Sequence, residues 1–171
     1  MRRAPPAAFF EREVVVVARA LLGCRLVRAG VGGTIIETEA YHEDEPASHS
    51  FVGPTERNKS VFLEGGRIYV YRIHRSVCAN VVCGPFGAGR AVLIRALRPE
   101  LGREEIAARR AGRPEREWTN GPGKLCAALG ITLEDDGSCG RTGPVRIEAG
   151  EPPPGAEILA GPRVGISKAV D

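Results

Sequence analysis

Several runs rich in β-branched and aromatic residues, each closed by a turn, govern what this chain can fold into. "CRLVRAGVGGTIIETEAY" reads as a hairpin: a short strand, a glycine-rich turn at residues 30 to 33, and a second strand from Thr34 to Tyr41. "GGRIYVYRI" and "VCANVVC" follow as strands, "PFGAGR" as a turn, and "AVLIRAL" as a strand whose nearly continuous apolar run marks it as central. Residues 8 to 22 are apolar and helix-compatible, with Gly23 as terminator. Pro99 suits the first turn of a helix running to about Arg110 and ending at Gly112. "TNGPGKLCAALGI" predicts a helix from about Pro122 to Leu129, stopped by Gly130. Weak strands near Val145 to Glu148 and Arg163 to Ile166 are separated by the rigid surface segment "GEPPPGAE". Residues 42 to 60 form a polar connection without periodicity, and connections of that length inside compact domains are usually functional or disordered. With no internal repeat and no boundary, the expectation is a single α+β domain over residues 1–171, built on a largely antiparallel sheet.

The 171 residues, 43% of them hydrophobic, suffice for one core, and no run approaches the roughly 20 apolar residues of a membrane span. Glu11, Arg12 and Glu13 interrupt what would be the apolar stretch of a signal peptide, so the N-terminus reads as helix and the protein as cytoplasmic. The five cysteines at 24, 78, 83, 126 and 139 are odd in number and scattered, which favours reduced, buried thiols. No ligand spacing joins them to His42, His49 or His74 as a zinc site. Arginine supplies 21 of the 24 cationic side chains. Guanidinium forks suit phosphate, although a GC-rich genome enriches arginine equally well. A net charge of +3 permits a nucleic-acid partner without requiring one.

The stretch "IIETEAYHEDEPASHS" gathers acids at the end of a strand in a basic chain. Strand alternation puts Ile35, Glu37, Glu39 and Tyr41 on one face and Ile36, Thr38 and Ala40 on the other. The two glutamates then stand roughly 6–7 Å apart. That spacing meets the carboxyl separation of an inverting glycosidase, but so does any i, i+2 pair on a strand. A solvated strand end and acid–base chemistry both remain open on these grounds. The adjacent Tyr41 favours chemistry, because an aromatic wall strips water from a carboxylate and makes it a better base.

Taken in order, "ETEAY", "HS", "RN", "YVYRI", the asparagine of "CANVV", "LIRAL", "NGPGKLCAALGI" and "PRVGI" resemble the alkyladenine (3-methyladenine) DNA glycosylase family over roughly residues 10 to 166. The resemblance implies an α+β fold with a curved, largely antiparallel sheet, flanking helices and a protruding β-hairpin that enters the DNA minor groove. It implies a monofunctional enzyme of base excision repair. Such an enzyme flips a damaged purine (3-methyladenine-like, or hypoxanthine or etheno-adenine) from duplex DNA and cleaves its N-glycosidic bond with water. No metal, no cofactor and no lysine Schiff base are implied. Glu39 matches the general base, with Arg95 near the reacting site. Tyr41 and Tyr71 match facing walls of the base pocket, His49 a pocket histidine, and Asn80 the floor residue that disfavours the amine of normal guanine. The physics agrees: a base in a duplex must leave the stack to be reached, and aromatic stacking holds it with little sequence preference.

The resemblance also implies a tyrosine at the hairpin tip, where this chain has His74. The expectation is that His74 is the wedge, with Arg72 and Arg57 contacting the DNA backbone. In "NGPGKL", Lys124 near a helix start reads equally as a phosphate contact or as part of ordinary helix capping. The family pattern continues past "PRVGI" into an aromatic-rich segment, so this chain is expected to be truncated there or to lack it. A monomer, cytoplasmic or nucleoid-associated, is implied. The alternative is a non-catalytic lesion- or RNA-binding module on the same scaffold.

Overall fold

The structure, a computed structural model, describes residues 2–163. Six strands form one sheet: β1 (Arg25–Arg28), β2 (Val31–Tyr41), β3 (Ile68–Ile73), β4 (Ser76–Cys83), β5 (Arg90–Leu101) and β6 (Val145–Glu148). Their order is β3-β4-β5-β2-β1-β6, with antiparallel pairing throughout. Helices α1 (Ala7–Phe10), α2 (Val14–Leu21), α3 (Arg103–Arg109) and α4 (Pro122–Leu129) flank it. The fold is the expected α+β arrangement around a curved antiparallel sheet, and β5 is central as its apolar run requires. Among the described residues no helix is long and apolar enough to cross a membrane.

Alternation divides the strands between two buried faces. Ile68 and Val70 of β3, Ala79 and Val81 of β4, and Val92 and Ile94 of β5 pack with Val17 and Leu21 of α2 and Leu125 and Leu129 of α4 in the main core. Each of the Val, Leu and Ile side chains contributes about 1.5–3 kcal/mol on burial. On the opposite face Tyr69, Val82 and Ala91 meet Val61, Phe62 and Tyr71 beneath the connection that follows β2. Burial on both faces explains why β4 and β5 read as continuous apolar runs.

Four boundaries differ from expectation. The first hairpin turn is only Ala29–Gly30, both with positive φ (49° and 80°), and Gly32 and Gly33 lie within β2. They are glycines because other strands approach closely. A Cβ on Gly32 would sit 2.1 Å from the Leu26 carbonyl oxygen, and one on Gly33 would sit 2.1 Å from that of Arg98. Pro99 pairs with Gly33 inside β5, so α3 starts only at Arg103, after Gly102. The predicted helix over 8 to 22 is two helices. The Phe10 carbonyl turns away to accept the Gly84 N–H at 2.8 Å, which ends α1. Of the predicted strand 163 to 166, Arg163 lies in no strand and the rest falls outside the described residues.

A further correction bears on function. Ile35 pairs with Leu97 and Glu37 with Ala96, so Ile36 is an extra residue on β2. Thr38 then pairs with Ile94, which makes Arg95 extra on β5. One added residue reverses the parity of a strand. Ile35 therefore enters the main core, while Glu39 and Tyr41 face the opposite side. Thr38 Oγ1 donates back to the Ala18 carbonyl of α2 at 3.0 Å.

The outer edge of β3 is sealed at its start: Ile68 N donates to Ser138 O (2.8 Å) and Val70 N to Asp136 Oδ1 (2.8 Å). Beyond Val70 the β3–β4 hairpin protrudes, with residues 72–76 all exposed. Gly33→Ala is expected to cost about 3 kcal/mol, since backbone must move to admit the methyl group. Gly30→Ala, in open space with only a left-handed φ to accommodate, is expected to cost about 1 kcal/mol. Equal losses in urea unfolding would contradict the close-approach account.

Candidate active site

The bulged stretch of β2 and the neighbouring strands line a cavity of about 360 Å³. Alternate residues supply it: Glu39 and Tyr41 from β2, Leu93 and Arg95 from β5, Cys78 and Asn80 from β4, Tyr69 and Tyr71 from β3. His49 closes it from the long connection, and Pro122 and Gly123 from the start of α4. Tyr41 and Tyr71 stand three strand spacings apart, roughly 14 Å on a flat sheet. Curvature turns both rings toward one space, whose floor is β4 and β5.

Glu39 is 6% exposed. Burying a carboxylate is costly unless donors meet it. The Tyr41 hydroxyl donates to its Oε2 at 2.8 Å. Arg95 Nε lies 3.4 Å from its Oε1 and donates to Glu37 Oε1 at 3.0 Å. Glu37, half exposed, shares that guanidinium and so remains at the rim. Burial together with the Glu39 carboxylate pushes the Tyr41 phenol far above its ordinary range, so it stays a protonated donor.

The opposite wall is an aromatic cluster. Tyr69 and Tyr71 have ring centroids 5.4 Å apart, and His49 sets its edge against Tyr71 at 4.1 Å. His49 Nδ1 is 3.1 Å from the Tyr69 hydroxyl. Partial desolvation, then the Arg57 charge, pulls the His49 pKa below its ordinary 6.5, which favours neutral imidazole at pH 7. Desolvation pushes the Tyr69 phenol up to about 12. Asn80, 4% exposed, donates from Nδ2 to the Tyr69 carbonyl at 3.1 Å, which fixes its amide at the floor.

Of the ten residues expected in the site, Glu39, Tyr41, His49, Tyr71, Asn80 and Arg95 line this one cavity. Arg57 and Arg72 border an adjoining depression that shares His49 and Tyr71. His74 lies exposed at the hairpin tip with φ of 48°. Lys124 donates to Asn120 Oδ1 at 2.9 Å in the first turn of α4, next to the cavity-lining Gly123. The acids after Tyr41 serve as anchors: Glu43 takes Arg90 at 2.7 Å, and Glu45 pairs with Arg163.

Two participants were missed. Tyr69 was detectable, since it shares the i, i+2 face of Tyr71 on a strand. Asn58 was not, because what it ties is the backbone of an aperiodic loop, up to nine residues away. Buried at 5%, it donates to the carbonyls of His49 (2.8 Å) and Gly53 (3.0 Å) and accepts the Thr55 N–H (2.6 Å), which pins the loop carrying His49.

The model of the methylpurine-DNA glycosylase family matches residues 8–171. Proteins named "Putative 3-methyladenine DNA glycosylase" are similar along nearly the whole chain. The one from Methanoculleus marisnigri is 46% identical over 97% of this chain and 90% of its own length. That of Nitrosospira multiformis is 45% identical over 100% and 88%, and that of Rhodopseudomonas palustris strain CGA009 48% identical over 95% and 79%.

Because the His49 pKa is depressed, its contribution to loop stability is present above pH 6.5 and is lost as pH falls through the folded value. Hydrogen exchange across residues 48–58, corrected for intrinsic rates, is expected to accelerate on acidification in the wild type and less in His49→Gln. Identical pH dependence in both proteins would contradict the assignment. Asn58→Ala is expected to loosen the same loop by about 1–3 kcal/mol at any pH.

Proposed function

The chain belongs to the methylpurine-DNA glycosylase family, hydrolases of the N-glycosidic bond, and we propose on that premise that Glu39 activates the water that releases a damaged purine flipped into the aromatic cavity. The observation that carries the proposal is Glu39 itself: a carboxylate 6% exposed, held by Tyr41 and Arg95, opening on a cavity walled by aromatic rings.

The flipped base stacks between Tyr41 and the Tyr71–His49 wall, each stacked face contributing about 1–3 kcal/mol. An alkylated, cationic purine gains further attraction from the π faces. Asn80, its amide fixed by the Tyr69 carbonyl, stands at the floor, where a guanine amine meets it. Water attacks C1′: its oxygen bonds to C1′, its proton passes to Glu39, and the C1′–N9 electron pair departs with the base. A cationic purine leaves as a neutral molecule, which is why little help is needed on that side. Neutral lesions such as hypoxanthine require a proton or a strong hydrogen bond on the purine. Arg95, between Glu37 and Glu39, offers a cation toward the backbone phosphate of the flipped nucleotide.

The protruding hairpin supplies the wedge. Ile73 is 44% exposed beside His74, giving an apolar side chain and an imidazole at one tip. Insertion into the space left by the flipped nucleotide compensates for the lost stacking. Arg57 and Arg72, exposed beside the cavity, and Lys124 contact phosphates of the duplex in this reading.

Glu39→Gln is expected to retain affinity for a lesion-containing duplex while its single-turnover excision falls by about 10²–10⁴-fold. Full excision by this variant would remove Glu39 as the base. His74→Ala is expected to lower both excision and affinity for an abasic-site duplex severalfold, and unchanged values would remove it as the wedge.

A further inference from the structure

We propose that Arg163, outside the base cavity, is a positioning residue that acts through Tyr41 to hold Glu39 in place. The inference rests on the reading of Glu39 as the water-activating base. Its guanidinium carbon lies 4.8 Å from the centroid of the Tyr41 ring. The same guanidinium donates to the Ala40 carbonyl at 2.9 Å and pairs with Glu45. Its side chain is 18% exposed, so the cation rests on the ring in a partly water-excluded setting, where such contacts are strongest.

Arg163 contributes nothing to the lining of the aromatic cavity. It lines a neighbouring groove between α2, the bulged part of β2 and the segment 158–163, which shares Glu39 with the cavity. The Arg163 cation thus lies on the ring of the residue whose hydroxyl donates to Glu39 Oε2 at 2.8 Å. That contact matters because Tyr41 is the last residue of β2, where strand pairing no longer restrains the chain that follows. At a strand end, a small turn of the ring about its χ angles breaks that hydrogen bond before it removes the stacking face. The clamp also joins distant parts of the chain: Glu45 opens the connection that carries His49, and Arg163 lies more than a hundred residues further on. Tyr41 therefore has two functions, wall and donor, and Arg163 serves the donor.

The donor function separates from the wall function in Tyr41→Phe, which keeps the ring and removes the hydroxyl. Single-turnover excision of a methylated purine from a duplex, and the Kd for that duplex, are measured for each variant. Tyr41→Phe is expected to excise roughly 10–100-fold more slowly with Kd within about twofold of wild type. Arg163→Met, similar in length but uncharged, is expected to excise roughly tenfold more slowly with Kd similarly unchanged, and Arg163→Lys to recover part of the rate. The double variant is expected to be no slower than Tyr41→Phe alone, since Arg163 acts through that hydroxyl. Arg163→Met at the wild-type rate would overturn the proposal. Multiplying losses in the double variant, or losses in Kd rather than rate, would do the same. Glu39→Gln measured alongside separates the two levels. If it excises normally, the reading of the site fails; if it is inactive while Arg163→Met is unaffected, only the role of Arg163 fails.

Discussion

The pairing of β2 with β5 is the constraint on which the rest of the molecule depends. Two successive irregularities, Ile36 extra on one strand and Arg95 extra on the other, cancel in register but not in direction. Upstream, β2 sends Ile35 into the helix-packed core; downstream, Glu39 and Tyr41 face the cavity. The second irregularity places Arg95 within reach of both Glu37 and Glu39. Bulges bend strands and redirect side chains, and here one pair of bulges curves the sheet, turns the carboxylate inward and supplies its cation.

The site that results combines one buried charge with an aromatic enclosure. Phenols with raised pKa and a neutral imidazole surround the cavity, so its ionic character is concentrated at Glu39 and Arg95. Charged side chains that are less deeply placed, at Arg57 and Arg72, border the depression beside it. This distribution suits a flat, cationic or polarisable guest held by stacking, approached by a polyanion whose phosphates meet arginine at the rim. The long connection after β2 is rigid where it matters, because Asn58 ties its His49 and Gly53 carbonyls and Glu45 ties its start to Arg163.

Much of this was legible in the residues. The strand runs, the central position of "AVLIRAL" and the helix ending at Gly130 follow from periodicity and local signals. The shared face of Glu39 and Tyr41 followed from alternation, whereas the register that sets Asn80 opposite Tyr69 comes from the pairing of β3 with β4. What was not legible depends on contacts between distant segments. Gly32 and Gly33 look like a turn until β1 and β5 crowd them. Pro99 looks like a helix start because its partner Gly33, which accommodates it in a strand, is 66 positions away. The bulge at Ile36 has no composition signature, and it alone moved Ile35 to the other face. Arg163 meets Ala40 and Glu45 from far along the chain, and Asn58 ties the backbone of an aperiodic loop, so composition near them announces neither.

The central claim is that a buried carboxylate facing an aromatic cavity makes this chain a hydrolase of damaged purine nucleotides. The most direct test incubates the wild-type protein, under single-turnover conditions, with duplexes that each carry one methylated purine, hypoxanthine or undamaged purine. Free base and abasic strand are quantified separately. The account predicts release of free base from the methylated duplex, an intact abasic strand until alkali cleaves it, and no release from the undamaged control. Tight binding to every lesion duplex with no base released would contradict it.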